Sequence, residues 1–455
     1  MENASASRVW DLTEGPVGKK LLAFFFPILF GMLFQQLYNT ADAIIVGRFV
    51  GTDALAAVGG SASVIINLVI GFFNGLASGA TVIIAQCAGA KDHERLSRTL
   101  HTIIAFCLTV GAVVTAASYF LAPWALRLVK DPADIIQLST LYLRIYFTGT
   151  IPLMLFNVGS GILRAVGDSK KPLIFLICCC LTNIALDLLF VVGFSWGVAG
   201  VGWATVLSQA LSALLVLGSM IKTRESHRLI LRKLRIHFPS LQTALYIGVS
   251  AGVQSAMYSL SNLIIQSAVN DLGTLTVAAW TATSKIDGVY WVTSSSFGTA
   301  ICAFVGQCYG AGKYERMKKS VRVCLAMALG SSVALSSLLI AFSSPLLSLV
   351  SNDGEVIAQA ARIMRWFVPS YFVWSFIEVI SSTLRGVGDA VRPMVIIILG
   401  VCLLRALWIF FVLPRFPGIR TISFSYPVSW AVTAVALIVY YTRSDWLKRM
   451  TRTAV

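Results

Sequence analysis

Apolar residues run through this chain in blocks of the length a helix needs to cross a bilayer, about 20 residues for about 30 Å of hydrocarbon. The blocks lie near 21–47, 54–86, 99–126, 135–163, 172–193, 198–221, 242–269, 276–307, 321–350, 357–384, 393–413 and 424–441. They predict an all-α membrane protein of twelve transmembrane helices, with no room between them for a large soluble domain. Composition agrees: 57% of the 455 residues are hydrophobic and 12% are charged, against about 25% charged in soluble domains. The mean hydropathy is +0.80.

Two passages recur. "AQCAGAKDHER" (85–95) aligns with "GQCYGAGKYER" (306–316), and "ILRAVGDSKKP" (162–172) with "TLRGVGDAVRP" (383–393). The chain is therefore an internal duplication with six helices per half. An even number gives both halves the same orientation, related by a pseudo-two-fold axis along the membrane normal. The expected organisation is a tail over 1–20, an N-lobe over 21–221, a basic linker over 222–241, a C-lobe over 242–442 and a tail over 443–455. The stretch "KTRESHRLILRKLRIHF" (222–238) can also be read as an amphipathic surface helix. Parallel repeats favour a central cavity and alternating access, which is transporter logic; channel-type filter segments such as TVGYG are not found.

The formal charge of +16 raises the question of nucleic acid, and its distribution answers it. With the N-terminus inside, basic residues gather on one side: Lys91, Arg95 and Arg98, Arg164, Lys170 and Lys171, the 222–235 cluster, and Lys313 to Arg322. This is the positive-inside pattern of a multi-pass protein of the plasma (cytoplasmic) membrane with both termini cytoplasmic, and it needs no nucleic-acid partner. The start, "MENASASRVWDLTEGPVGKK", lacks a cleavage-type apolar core and reads as a tail. The nine cysteines, including Cys178, Cys179 and Cys180, lie mostly inside apolar spans without metal-type spacing and read as small apolar fillers.

Enzyme chemistry finds little support. "GVSAG" (248–252) has G-x-S-x-G spacing but begins a membrane helix, with no preceding strand. His93, His101, His227 and His237 all sit in or beside predicted cytoplasmic loops, and there is no HExxH or P-loop. Without an ATP site, energy is expected from an ion gradient and no cofactor is expected.

The polar residues inside the spans carry the chemistry. Asn183 and Asp187 are one turn apart in an apolar helix, where a carboxylate costs roughly 2.5–3.5 kcal/mol on insertion scales. Gln35, Tyr38, Asn39 and Asp42 share a face of the first helix. Two carboxylates with amide and hydroxyl oxygens suit Na⁺, and two neighbouring acids equally suit a shared proton; the bland alternative is buried polar cross-linking of helices. Helix 7 has a polar stripe of Gln254, Tyr258, Asn262 and Gln266, as expected of a wet cavity wall. Glu378 and Arg405 can either pair across helices 10 and 11 or line a substrate cavity, and Lys285 can neutralise Asp287 locally. Tyr38, Tyr290, Trp291 and Trp374 offer faces on which flat cations can stack. Pro27 predicts a kink in helix 1, static or gating.

The motifs "LFQQLYNTADAIIVGRFVGTDALAAVG" (33–59), "GQCYGAGK" (306–313) and "LRAVGDSKKP" (163–172), with twelve spans in duplicated lobes, resemble the MATE family of multidrug and toxic compound extrusion transporters, over about residues 15–442. The resemblance implies a coupling-cation site in the N-lobe, with Asp42 on helix 1, Asn157 on helix 4, Asn183 and Asp187 on helix 5, and Thr205 on helix 6. It further implies a helix-1 proline, here Pro27, that bends with the state of that site. The C-lobe lacks a copy: the counterparts of Asn157, Asn183 and Asp187 are Glu378, Leu404 and Trp408, and that of Asp42 is Ile264. The expected function is a monomeric secondary antiporter exporting amphipathic, cationic small molecules in exchange for Na⁺ or H⁺. The alternatives are a flippase for lipid-linked oligosaccharides, which would call for more intramembrane Arg and Lys, and, in another class, an intramembrane enzyme or a membrane scaffold.

Overall fold

The computed structural model describes residues 11–129, 131–444 and 446; half of the predicted N-terminal tail, 1–10, and most of the C-terminal one, 445 and 447–455, lie outside them. The described elements are all helical. Helices long and apolar enough to span are Val17–Val50 (α1), Thr52–Ala90 (α2), His93–Leu128 (α3), Lys170–Gly193 (α5), Gly197–Lys222 (α6), Thr274–Gly310 (α8), Tyr314–Ala341 (α9), Gly354–Gly386 (α10), Val391–Phe411 (α11) and Ile419–Arg443 (α12). Ile136–Thr148 and Thr150–Ala165 together form a broken span (α4), bent by 49°. The twelfth, Phe238–Asn270 (α7), is 33 residues long but less apolar than the others, because Gln254, Asn262 and Gln266 interrupt it. The observed elements thus match the twelve predicted spans.

By contacts the chain forms two compact units, one of Phe26–Gly252 and one from Val253 onward that also takes Glu14–Phe25. The boundary within α1 falls beside Pro27, through which the helix continues.

The repeated "LR-x-VGD" passages are helix-ending turns. Gly167 and Gly388 have φ of 98° and 99°, a region that favours glycine. The amides of Asp168 and Asp389 then donate back to the carbonyls of Leu163 and Leu384, at 2.8 and 2.9 Å. These bonds satisfy carbonyls that a helix end leaves open. The repeat thus preserves a backbone stop at the same place in each half.

The "GVSAG" segment lies well inside α7, and its glycines serve a helix crossing. A Cβ at Gly75 would lie 2.3 Å from the Gly252 nitrogen, and one at Gly79 would lie 2.2 Å from the Ala244 oxygen. Small residues four apart on α2 and α7 let the two backbones touch, the usual route to close packing in lipid.

The linker departs from the amphipathic-helix reading. Over 223–237 it is non-helical apart from one 3₁₀ turn, Leu231–Lys233, and it is folded by a tight turn at Ser226–His227, where the Arg228 amide donates to the Glu225 carbonyl at 3.0 Å. Side chains of α3 supply partners for its backbone: the Ile230 amide donates to His101 Nε2 at 2.9 Å, and Thr102 Oγ1 donates to the Arg235 carbonyl at 3.3 Å. Arg228, Arg232, Lys233 and Arg235 are exposed while His227 and Leu229 are buried, and partners on α3 take backbone groups that a helix would have paired internally.

Candidate functional site

In the first unit, the acids sit at local irregularities of their helices. The end of α1, Val46–Val50, widens into a π-helix four residues after Asp42, and α5 does the same over Leu188–Gly193, immediately after Asp187. Wider turns of this kind release carbonyls from regular pairing and are frequent at functional sites. The carboxyls of Asp42 and Asp187 lie against each other without a hydrogen bond of normal geometry between them. Asn183 and Asp187 are completely buried and Asp42 is half-buried. Asp42 Oδ1, both Asp187 oxygens and both amide atoms of Asn183 are buried with no hydrogen-bond partner. A buried polar atom left so costs about 1–3 kcal/mol, and here five are gathered on two helices.

Thr205 on α6 joins this group. Its hydroxyl donates to the Val201 carbonyl at 3.0 Å, which commits the hydrogen and leaves its lone pairs open. Tyr38, one turn before Asp42, reaches Thr205 and lies close to Tyr142 and Tyr146 of α4. Tyr146 in turn meets Gln209, whose Oε1 is buried without a partner. Tyr142, Tyr146 and Gln209 were absent from the sequence expectation. Their four-residue spacings, Tyr142 to Tyr146 and Thr205 to Gln209, put each pair on one helix face but do not by themselves mark a site. Below the group an apolar layer that includes Ile45, Val46, Val191, Val198 and Val201 closes the packing.

Asn157 stands apart. It is half-buried on α4 and makes no hydrogen bond to Asp42, Asn183, Asp187 or Thr205. Among the described residues no three His, Cys, Asp or Glu side chains come together as a metal cluster, so any cation here would rely on two carboxylates supplemented by amide, hydroxyl and carbonyl oxygens. Gln35 and Asn39 are exposed on α1.

The second unit contains a cavity of about 550 Å³. Tyr258, Asn262 and Gln266 of the α7 stripe line it, with Glu378 and Arg405; Gln254, at the end of the stripe, donates to the Tyr258 hydroxyl at 3.5 Å. The two ion pairs offered as alternatives do not form among the described residues. Arg405 pairs with no carboxylate: its Nε donates to Ser429 Oγ at 3.1 Å, and its guanidinium lies 4.0 Å from the Tyr426 ring centroid and 5.7 Å from that of Trp430. Aromatic faces have replaced the acid. Glu378 Oε1 accepts from Ser382 at 3.5 Å and fits against Gly298, where a Cβ would sit 2.0 Å away. Lys285 is exposed while Asp287 is buried. Asp287 Oδ2 instead accepts from the Tyr371 hydroxyl at 3.0 Å and Trp291 Nε1 at 3.3 Å, because two residues along a helix point a Lys and an Asp to different faces.

Of the expected stacking rings, Trp291 and Trp374 line this cavity. Tyr290 does not: it is buried, stacked on Tyr371 at 3.9 Å, with its hydroxyl donated to the Tyr371 carbonyl.

A family profile described as MatE matches residues 27–189 and 251–411. A probable multidrug resistance protein of Bacillus subtilis, YoeA, is 29% identical over 99% of each chain. Among solved structures, a MATE protein in a straight conformation superposes with a TM-score of 0.90, at 21% identity over 98% of this chain and 99% of that one. An outward-facing multidrug resistance MATE transporter gives 0.89 at the same identity and coverage. The profile covers both halves of the duplication and well over half the residues, and the twelve spans agree with it: the chain belongs to the MATE family of multidrug and toxic compound extrusion transporters.

Proposed function

We propose that this protein is a secondary active antiporter that exports amphipathic, cationic organic compounds across the cytoplasmic membrane in exchange for Na⁺ or H⁺. The observation that carries this reading is the meeting of Asp42 and Asp187 beside Asn183, with five buried polar atoms lacking hydrogen-bond partners. One small cation, or one proton shared between the acids, answers that deficit, which apolar packing cannot. Binding there favours one arrangement of α1, α5 and α6 and release favours another, so the ion gradient biases the equilibrium of the carrier. Tyr38, Tyr142, Tyr146 and Gln209 extend the proposed site beyond Asp42, Asn183, Asp187 and Thr205. Asn157 enters it only if α4 moves in another state. Pro27, whose missing amide weakens α1 locally, is the proposed point at which that helix bends.

The second unit supplies the proposed substrate surface, with Glu378 attracting cations and Trp291 and Trp374 presenting ring faces. The protein acts as a monomer with both termini and the 222–238 linker on the cytoplasmic side. Reconstituted proteoliposomes with an imposed Na⁺ gradient, proton gradient or neither test the reading. Ethidium should accumulate against its gradient under one of the two ions. Equal ethidium movement in all three preparations would show that no antiport occurs.

A further inference from the structure

Arg405 is more than nine-tenths buried in the interior of a membrane protein and has no carboxylate partner among the described residues. Burying a guanidinium is costly unless its charge and its five donors are answered. Tyr426 and Trp430 answer part of the charge through their ring faces, and Ser429 Oγ takes the Nε hydrogen. Among the described residues the hydrogen bond of the Arg405 guanidinium is the one from Nε to Ser429, its terminal nitrogens have no such partner, and the side chain lines the 550 Å³ cavity. Two acids share that cavity, yet neither is used: Asp287 is occupied by Tyr371 and Trp291, and Glu378 lies against Gly298 and Ser382. Tyr258 stands within electrostatic reach of both Glu378 and Arg405. The aromatic clamp and Ser429 fix the guanidinium plane without filling its outer edge, which is the edge that takes a carboxylate or phosphate in a two-pronged contact.

We propose that Arg405 forms an anion subsite in this cavity, so that the protein also takes aromatic organic anions, with the acidic group on the guanidinium and the ring system against Trp291 and Trp374. This rests on the export reading and extends it to a charge class opposite to that favoured by Glu378. Tyr426 and Trp430 are positioning residues: they hold the guanidinium in place and leave its outer nitrogens to the ligand. A lysine in place of Arg405 keeps the charge but loses both the planar fork and the stacking.

The test uses the purified full-length protein, with fluorescence polarisation of fluorescein, an aromatic carboxylate, and of ethidium, an aromatic cation, and efflux of both dyes from proteoliposomes. Wild-type protein should bind and export both. Arg405→Gln should weaken fluorescein binding at least about tenfold, Arg405→Lys should weaken it less, and Arg405→Gln should tighten ethidium binding, because one positive charge leaves the cavity wall. Unaltered fluorescein binding in Arg405→Gln, or an equal loss for both dyes in folded protein, overturns the subsite. Should the variants fail to fold, competition on wild-type protein decides: benzoate should displace fluorescein and uncharged benzamide should not, and equal displacement overturns the proposal. A wild-type protein that exports ethidium but neither binds nor exports fluorescein sinks the subsite and leaves the export reading standing. Failure with both dyes sinks the two together.

Discussion

The two halves of the duplication hold their buried charge in opposite ways. In the first unit, Asp42 and Asp187 lie together beside an Asn183 whose amide is unsatisfied, and no basic side chain or hydroxyl completes them. In the second, Asp287 has two donors, and Arg405 has a serine and two aromatic faces. The same backbone plan carries Leu404 and Trp408 where the first half has Asn183 and Asp187, and Trp408 Nε1 donates to the Thr421 carbonyl at 2.9 Å, a structural bond. Duplication thus preserved the helix stops and packing, while the polar interiors diverged into a compact acidic site and a roomy mixed-charge cavity. On the proposed reading a small ion takes the first and an organic molecule the second.

The largest effect expected from this contrast is at Asp187. Asp187→Asn keeps the shape and removes the charge, so gradient-driven dye export should collapse while the protein still folds, because a neutral amide is less costly in that interior than an unpaired carboxylate. Asp42→Asn should match it. The double substitution should be little worse than either one if both acids serve the one proposed site; additive losses in an efflux assay would split the site in two.

Glu378→Gln comes next. Removing one charge from the cavity wall should lower the transport of cationic dyes about tenfold, a change of about 1.4 kcal/mol, and that of neutral dyes much less. An equal loss for both dye classes would point to packing against Gly298 instead of charge. Asn157→Ala should cost less than either acid substitution; a loss as severe as that of Asp187→Asn would mean that α4 brings Asn157 into the site during the cycle.

The twelve spans were legible because lipid forces every backbone polar group into helical pairing, and the length of an apolar run reports that directly. The break in α4 was not: it falls at Gly149, one glycine among many, and its 49° bend depends on packing against α6, where a Cβ at Gly149 would lie 3.0 Å from Val206 Cγ2. Asp187 and Asn183 were legible as costly residues one turn apart. Tyr142, Tyr146 and Gln209 were not, since tyrosine and glutamine are tolerated in membrane helices and only the approach of α4 to α6 gives these three a role. The sequence also left open ion pairs for Arg405 and Asp287 that the structure does not form. It offered the nearest opposite charge, whereas a buried guanidinium can be held by aromatic faces and a buried carboxylate by phenol and indole donors.

The smallest effect is expected at Tyr371→Phe. It removes one donor from Asp287 but leaves Trp291 in place, so the thermal stability should fall by about 1–2 kcal/mol with export nearly intact. A transport defect larger than the stability loss would place Asp287 in the transport cycle.

The central claim is that Asp42 and Asp187 together bind the ion that drives transport, and thermal stability read against ion concentration tests it most directly. Purified wild-type protein should melt at a rising temperature as Na⁺ is titrated at fixed ionic strength or, for a proton-coupled carrier, as pH is lowered. Saturation at a hundred times the dissociation constant corresponds to about 2.7 kcal/mol. Asp187→Asn and Asp42→Asn should each abolish the shift while remaining folded. A shift of the same size and midpoint in both variants would contradict the account and leave the two acids as cross-links between helices.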